Sequence, residues 1–106
     1  MNLQARIKGF VTLGQQLSDT QNSQLLTAKD EAYRQNAWFL PEFIDQAIQQ
    51  ISQQFLQEQA LVEWTSSYPT IADQPSQIKV GIVMAGNIPL VGFHDLLSTL
   101  IAGHIA

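Results

Sequence analysis

The chain has 106 residues, of which 45% are hydrophobic and 13% charged, with a net charge of -4 and no cysteine. This composition is typical of one small folded domain, and it excludes disulfides, zinc–thiolate sites and a cysteine nucleophile within the chain. The five basic residues are scattered along an acidic sequence. They form no stripe that could neutralise phosphates, so no nucleic acid is expected as a partner.

The N-terminal sequence gives no sign of export or membrane insertion. Residues Met1–Arg6 lead into an amphipathic pattern rather than into the apolar run of a signal peptide. No stretch approaches the roughly 18 apolar residues of a membrane span. We therefore expect a cytoplasmic protein without a membrane span.

The N-terminal part of the sequence predicts helices. An amphipathic pattern over residues 3–17, weakened locally by Gly14, indicates the first helix, and a thinner apolar face over residues 22–36 indicates the second. Pro41 is well placed to begin a third helix, because proline suits the first helical turn. Apolar residues then recur about every 3.6 residues, so this helix is expected to run on, or to restart, as far as Trp64.

The sequence changes character after residue 66. Residues 1–66 are assigned to a helical N-terminal region. Residues 67–77 contain two prolines and several small polar residues, which is typical of a connector. Residues 78–106 are interpreted as the start of a cofactor-binding α/β domain that is incomplete in this chain.

Residues 78–106 predict one strand, a turn and a helix. Ile78–Met84 is apolar and β-branched, which is typical of a strand buried on both faces of a parallel sheet. A turn follows at Ala85–Asn87, and a helix is predicted over residues 89–102, ending at Gly103. No other segment predicts a convincing strand. The sequence therefore indicates a mainly α fragment of an α/β protein, with N-terminal helices followed by one strand-turn-helix unit.

The predicted strand has no partner in the rest of the sequence. Backbone N–H and C=O groups that are buried without hydrogen bonds carry an energetic penalty. We therefore expect either that the chain is a fragment or that it borrows a sheet from another copy, and we predict self-association.

The segment Val80–Leu90 resembles the first strand-turn-helix motif of the aldehyde dehydrogenase superfamily, whose turn reads Pro-Trp-Asn-Phe-Pro-Leu. In this chain the turn reads Ala-Gly-Asn-Ile-Pro-Leu, and the helix after it ends at Ala102–His104. The continuation Gly-Asn-Ile-Pro-Leu-Val-Gly-Phe-His-Asp is similar to the acyl-CoA reductase branch of that superfamily, the LuxC-like proteins. The segment Trp38–Glu42 also resembles a recurring feature of that branch.

This resemblance implies that the chain is the N-terminal fragment of an aldehyde dehydrogenase-like protein with a Rossmann-like parallel sheet. It implies an oxidoreductase that reduces fatty acyl-CoA to the aldehyde through a cysteine acyl-enzyme. The substrate would be acyl-CoA and the cofactor NADPH, with NADH as the alternative. The family's cysteine lies downstream of the matched motif and is absent from this chain, so the chain alone is predicted to be inactive.

The resemblance also implies roles for four residues. The asparagine that matches Asn87 donates its side-chain amide to the oxyanion, and the backbone of Met84, Ala85 and Gly86 runs along the nicotinamide half of the cofactor. From the residues alone, ligands of open α/β sheets bind beyond the carboxyl ends of strands, and an amide is a suitable oxyanion donor. The alternative is that Asn87 is simply the N-cap of the helix that follows.

Several other residues have structural interpretations that we prefer. His94 and Asp95 are neighbours in sequence with no serine or cysteine placed against them, so they do not form a catalytic dyad and a structural or surface role is preferred for His94. The spacing of His94 and His104 fits no usual metal-ligand pair, so no metal is expected. Trp38–Phe39 is interpreted as a hydrophobic clasp between helices rather than as an acyl pocket.

A non-catalytic helical interaction module is the alternative function. It would explain the amphipathic helices and the missing nucleophile equally well. It does not explain the strand or the Gly-Asn-Ile-Pro-Leu turn. We therefore prefer the acyl-CoA reductase hypothesis.

Overall fold

Helices account for most of the secondary structure of this chain. A computed structural model describes residues 1–73 and 76–106. Five α-helices and one 3-10 helix lie in this described part, which contains no β-strand. They are α1 (Leu3–Ser18), α2 (Ser23–Gln35), α3 (Pro41–Gln54), α4 (Glu58–Ser66), the 3-10 helix (Pro69–Asp73) and α5 (Phe93–Ile101).

The first two helices begin at asparagine caps. The side-chain oxygen of Asn2 accepts a hydrogen bond from Ala5 N at 2.8 Å, and that of Asn22 accepts one from Leu25 N at 3.1 Å. Each bond satisfies one of the N–H groups that the first turn of a helix leaves free. The helices predicted over residues 3–17 and 22–36 are confirmed.

The helix predicted from Pro41 was expected either to run on or to restart before Trp64, and in the structure it is broken into two helices. α3 begins at Pro41 and ends at Gln54, and α4 begins four residues later. The break places Leu56 in the core with 1% of its surface exposed. A Cβ at Gly14 would lie 2.7 Å from Leu56 Cβ. The glycine that weakens the pattern of α1 is therefore what lets the α3–α4 break approach α1.

One hydrophobic core joins four of the helices. α1 packs against α3, α4 and α5, whereas α2 packs against α3 and has no fully buried residue. The buried side chains of the core come from α1, α3, α4, α5 and the α3–α4 break: Ile7, Ile51, Leu56, Leu61, Phe93, Leu97 and Ile101. α5 is thereby fixed against the N-terminal helices, and it holds the segment that precedes it.

The strand predicted over residues 78–84 is not formed, and this prediction needs correction. A single parallel bridge pairs Lys79 with Ile105, through Val80 N to Ile105 O at 2.8 Å and Ile105 N to Ile78 O at 3.0 Å. Pairing stops there, and Val83 is fully exposed instead of buried. A strand needs a neighbour along its whole length, and the described residues supply that neighbour only at Ile105. The two paired segments are parallel and are connected through α5, as parallel pairing requires.

The helix predicted from Pro89 begins later, at Phe93. Residues 86–92 form bends and turns, and Leu90 adopts a φ of 56°, a left-handed conformation that interrupts helical geometry. Gly92 occupies the N-cap of α5. Proline was therefore a misleading start signal at this position.

The predicted end of this helix is confirmed. Gly103 follows the last turn of α5 with a φ of 88°. Its N–H donates to Leu100 O at 3.0 Å, and His104 N donates to Thr99 O at 3.1 Å. This pair of bonds is a Schellman motif, which favours glycine because of the positive φ.

Candidate functional site

Asn87 lies at the surface, in the turn that leads to α5. Its side chain is exposed. The N-cap of α5 is Gly92, five positions further on. The alternative interpretation of Asn87 as the helix cap is therefore wrong, and this helix end does not use the Asn87 amide.

The backbone of Met84, Ala85 and Gly86 is accessible next to Asn87. All three residues are exposed, and a Cβ at Gly86 would have no atom within 4 Å. The Met84 side chain packs against Gly92, where it occupies the space that a Cβ would need. A planar ligand could approach Ala85 and Gly86 closely, since no side chain covers them.

Asn36 fixes the position of Gly86, and sequence reasoning missed this residue. Its side-chain Nδ2 donates to Gly86 O at 2.5 Å, while its Oδ1 accepts from Trp38 N at 3.1 Å. The second bond is an Asx turn, a local motif that an asparagine after a helix can suggest. The first bond spans 50 positions and leaves no signal in the sequence. It ties the end of α2 to the turn that carries Asn87.

An open cleft of about 610 Å³ separates Asn87, Ile88 and Pro89 from α3 and the loop before it. Its far wall is mainly apolar and is formed by Ala37, Trp38, Leu40, Phe43, Ala47, Gln46 and Gln50. Trp38 is 72% exposed and Phe43 is 53% exposed. Aromatic surface of this extent is left uncovered beside the Asn87 amide.

The proposed Trp38–Phe39 clasp is half correct. Phe39 is partly buried and lines a small cavity together with Leu17, Leu25 and Ile48, so it does pack between α1, α2 and α3. Trp38 instead points into the open cleft that contains Asn87. The assignment of Trp38 to the clasp is therefore wrong.

The histidines lie apart from Asn87 and make structural contacts. The His94 ring meets the Phe55 ring edge-on, with centroids 5.5 Å apart, and lies 6.1 Å from the Trp64 ring. His104 Nδ1 accepts a hydrogen bond from Ile78 N at 3.3 Å, next to the parallel bridge. Asp95 lies in the first turn of α5, where a carboxylate is favourable. Within the described residues, no three potential metal ligands cluster.

The charge around the site limits its chemistry. Residues 80–93 contain no charged side chain. Only neutral dipoles of this segment, among them the Asn87 amide N–H, could therefore stabilise a negative charge beside it. The site therefore offers the Asn87 amide beside accessible backbone and an apolar cleft.

Two wider observations complete the description of the site. None of the helices found in residues 1–73 and 76–106 has the length and apolar character needed to cross a bilayer. Comparisons with protein-family models, curated proteins and solved structures yield no match for the chain. Its function is therefore proposed from its residues and their geometry.

Proposed function

We propose that this chain is the N-terminal part of a cytoplasmic oxidoreductase that reduces fatty acyl-CoA to the aldehyde with NADPH, or with NADH. One observation carries the proposal. The Asn87 amide is not used as a helix cap, and it is exposed beside the accessible backbone of Met84, Ala85 and Gly86. An aldehyde dehydrogenase-like fold is part of the proposal, with the bridge between Lys79 and Ile105 as the beginning of its parallel sheet.

Asn87 would act on the thioester carbonyl. A cysteine thiolate from outside this chain attacks the carbonyl carbon, and the carbonyl oxygen gains the negative charge. The Asn87 amide donates a hydrogen bond to that oxygen and adds no proton equilibrium of its own. Collapse of the intermediate breaks the bond to the CoA sulfur, which leaves as the thiolate. The acyl group is then held on the cysteine, so the present chain alone is expected to show no turnover.

The residues before Asn87 fit a backbone contact with the nicotinamide half of the cofactor. The open space at Gly86 and the exposure of Ala85 would let a planar ring lie against the main chain. When bound, the reduced nicotinamide supplies the hydride that releases the aldehyde. The contribution of this chain is to hold that backbone in place, through the hydrogen bond from Asn36 to Gly86 O and through the packing of Met84 on Gly92.

The test is substitution of Asn87 in the complete enzyme. Asn87→Ala should lower kcat by about 100- to 1,000-fold, as loss of one oxyanion donor typically does. The dissociation constant of the cofactor should change little, because the expected nicotinamide contacts are backbone ones. Asn87→Asp should be at least as damaging, since its charge would repel the developing oxyanion. Both variants should keep their stability, because Gly92 rather than Asn87 caps α5.

Asn22 provides a matched control, because it is an asparagine that does cap a helix. Asn22→Ala should cost about 1 kcal/mol of stability and leave kcat unchanged. An Asn87→Asp enzyme with normal stability and normal turnover would rule out the oxyanion role.

The exposed aromatic wall of the cleft favours a second candidate, a non-catalytic interaction module. Trp38 and Phe43 present apolar surface to solvent, and surface of this kind often contacts another protein. Under this alternative, Trp38→Ser and Phe43→Ser would abolish partner binding, and Asn87→Ala would have no effect on any activity. A loss of turnover in the Asn87 variants would favour the reductase hypothesis over the interaction module.

A further inference from the structure

The cleft between Asn87 and α3 is lined entirely by residues without charge. Its volume of about 610 Å³ falls within the range of small-molecule sites. Trp38 and Phe43 line its wall, although they are 72% and 53% exposed. Covering apolar surface of this extent removes it from water and stabilises a complex. The occupant that suits this wall is therefore an uncharged, apolar group.

The cleft has a direction, which a contact at one end of it determines. The side chain of Asn36 donates to Gly86 O, and this bond places the turn that carries Asn87 beside the loop before α3. From that loop the wall continues along one face of α3, where the lining residues recur every three or four positions: Leu40, Phe43, Ala47 and Gln50. A group held at Asn87 therefore extends from the loop along α3.

The apolar part of this wall has a limited length. A helix rises about 1.5 Å per residue, so the stretch from Leu40 to Ala47 covers roughly 10 Å along α3. Gln50 lies about one turn further on and brings a polar side chain to the cleft. An extended carbon chain advances roughly 1.25 Å per carbon, given C–C bonds of about 1.5 Å. About eight carbons therefore match the apolar stretch before Gln50.

We propose that the cleft binds the acyl tail of the substrate and that its apolar length selects medium chains of about eight carbons. This assignment rests on the function proposed for Asn87, because a carbonyl held at that residue fixes where the tail begins. Trp38 covers the first carbons of the tail. Ala47 leaves room for the last ones, so the small side chain at this position determines the chain length.

Binding of simple thioesters to the whole chain measures the length preference without turnover. The probes are the octanoyl and butanoyl thioesters of N-acetylcysteamine. Each methylene that the open cleft half covers should raise affinity about twofold, so the octanoyl thioester should bind about 16-fold more tightly. In NMR spectra the indole N–H of Trp38 should shift, whereas that of Trp64, which lines a different cavity, should not. Equal affinity for both thioesters, or shifts at Trp64 alone, would overturn the proposal.

Ala47→Leu tests the far end of the cleft. The leucine fills the space for the last two to four carbons, so affinity for the octanoyl thioester should fall about 4- to 16-fold. The butanoyl thioester should bind as before, because its chain ends before position 47. Gln49→Leu is the matched control, since it places the same side chain at an exposed position of α3 that does not line the cleft. A folded Ala47→Leu chain that still prefers octanoyl to the same degree would contradict the assignment.

Trp38→Ala tests the near end of the cleft. Both thioesters share the first carbons, so both should bind about fourfold more weakly when the indole no longer covers about two of these carbons. Tyr33→Ala is the control, because it removes a 42% exposed aromatic side chain from α2 outside the cleft. It should leave both affinities unchanged, and an equal effect of the two alanine variants would count against the cleft.

In the complete enzyme, the acyl cleft and the oxyanion role fail separately. Ala47→Leu should lower kcat/KM for octanoyl-CoA about 4- to 16-fold and leave kcat/KM for butanoyl-CoA unchanged, whereas Asn87→Ala should lower kcat for both substrates. An equal effect of Ala47→Leu on the two chain lengths would overturn the acyl cleft. Normal turnover of the Asn87→Ala enzyme would instead overturn the oxyanion role.

Discussion

Gly14 shows how one missing side chain determines a helix contact. Leu56 Cβ and Leu56 O lie 2.7 and 3.1 Å from the position that a Cβ of Gly14 would occupy. Because part of that clash is with backbone, a side chain there must push α1 away from the α3–α4 break. The core around Leu56 therefore depends on glycine at this position.

Gly14→Ala is expected to lower the free energy of unfolding by about 1–3 kcal/mol, the usual cost of overpacking. Gly9→Ala in the same helix is the control, since its Cβ would meet no atom within 4 Å. That change should raise stability by up to about 1 kcal/mol through helix propensity. Urea denaturation measures both values, and equal effects of the two changes would contradict the packing argument.

Asn36 tests whether the turn before Asn87 is held from α2. Asn36→Asp keeps the Oδ1 that accepts from Trp38 N and loses the Nδ2 that donates to Gly86 O. We expect a loss of about 0.5–1.5 kcal/mol, with chemical-shift changes at Gly86 and Asn87 and with the Trp38 amide still protected. Asn36→Ala should remove that protection as well. Unchanged shifts at Gly86 in the aspartate variant would show that the long-range bond does not hold the turn.

At the scale of the element, α5 is defined more firmly at its end than at its start. Gly103 has a φ of 88°, which costs other residues about 1–2 kcal/mol. A Cβ there would also approach the Arg6 guanidinium to 3.3 Å. We therefore expect Gly103→Ala to lower stability by at least about 1 kcal/mol in urea denaturation.

Gly81→Ala is the control for Gly103→Ala. The new Cβ at position 81 would have no atom within 4 Å, and Gly81 is not among the residues with positive φ. It should be close to neutral, within about 0.5 kcal/mol. If Gly103→Ala were equally neutral, the Schellman motif would not govern the end of α5.

The elements differ in how well the sequence predicts them, for a physical reason. α1 and the end of α5 follow from periodicity and from Gly103, which act within a few residues. A strand at Ile78–Met84 would need a neighbouring strand, and the sequence pattern cannot show whether one is present. The β-branched composition of this segment therefore predicted a strand that is not formed. The predicted start of α5 was wrong because Leu90 adopts a left-handed φ, which few leucines adopt.

The residues of the candidate site also differ in whether local sequence or long-range packing determines their position. The grouping of Met84 to Asn87 is local, so a motif could indicate it. The bond from Asn36 to Gly86 spans 50 positions and that from Arg6 to Ile101 spans 95. Such contacts form only when distant elements pack together, and neither residue type nor spacing predicts them.

At the scale of the whole molecule, the segment after the parallel bridge is exposed. Val83, Met84 and Ile88 all leave large apolar side chains in solvent, and Val83 is fully exposed. Unpaired, apolar, uncharged backbone of this kind is prone to pair with another strand. We propose that a second copy of the chain supplies that strand.

Light scattering over a range of concentrations should therefore show a shift from monomer to a larger species. Val83→Lys should move this shift to higher concentration, because a charged edge opposes strand pairing. Val62→Lys is the control: Val62 is 48% exposed and lies on α4, away from this edge. A natural chain that stays monomeric at high concentration, or an equal effect of both lysines, would contradict self-association.

The bond from Arg6 to Ile101 has a consequence for the order of folding. The two residues lie 95 positions apart, so a ribosome adding roughly 5–20 residues per second makes Ile101 about 5–20 s after Arg6. Phe93, Leu97 and Ile101 complete the core only at the end of that interval. Until then the part of α1 that packs against α5 stays uncovered, although α3 and α4 are already made, and the arrival of α5 both covers that part and gives Arg6 its acceptor.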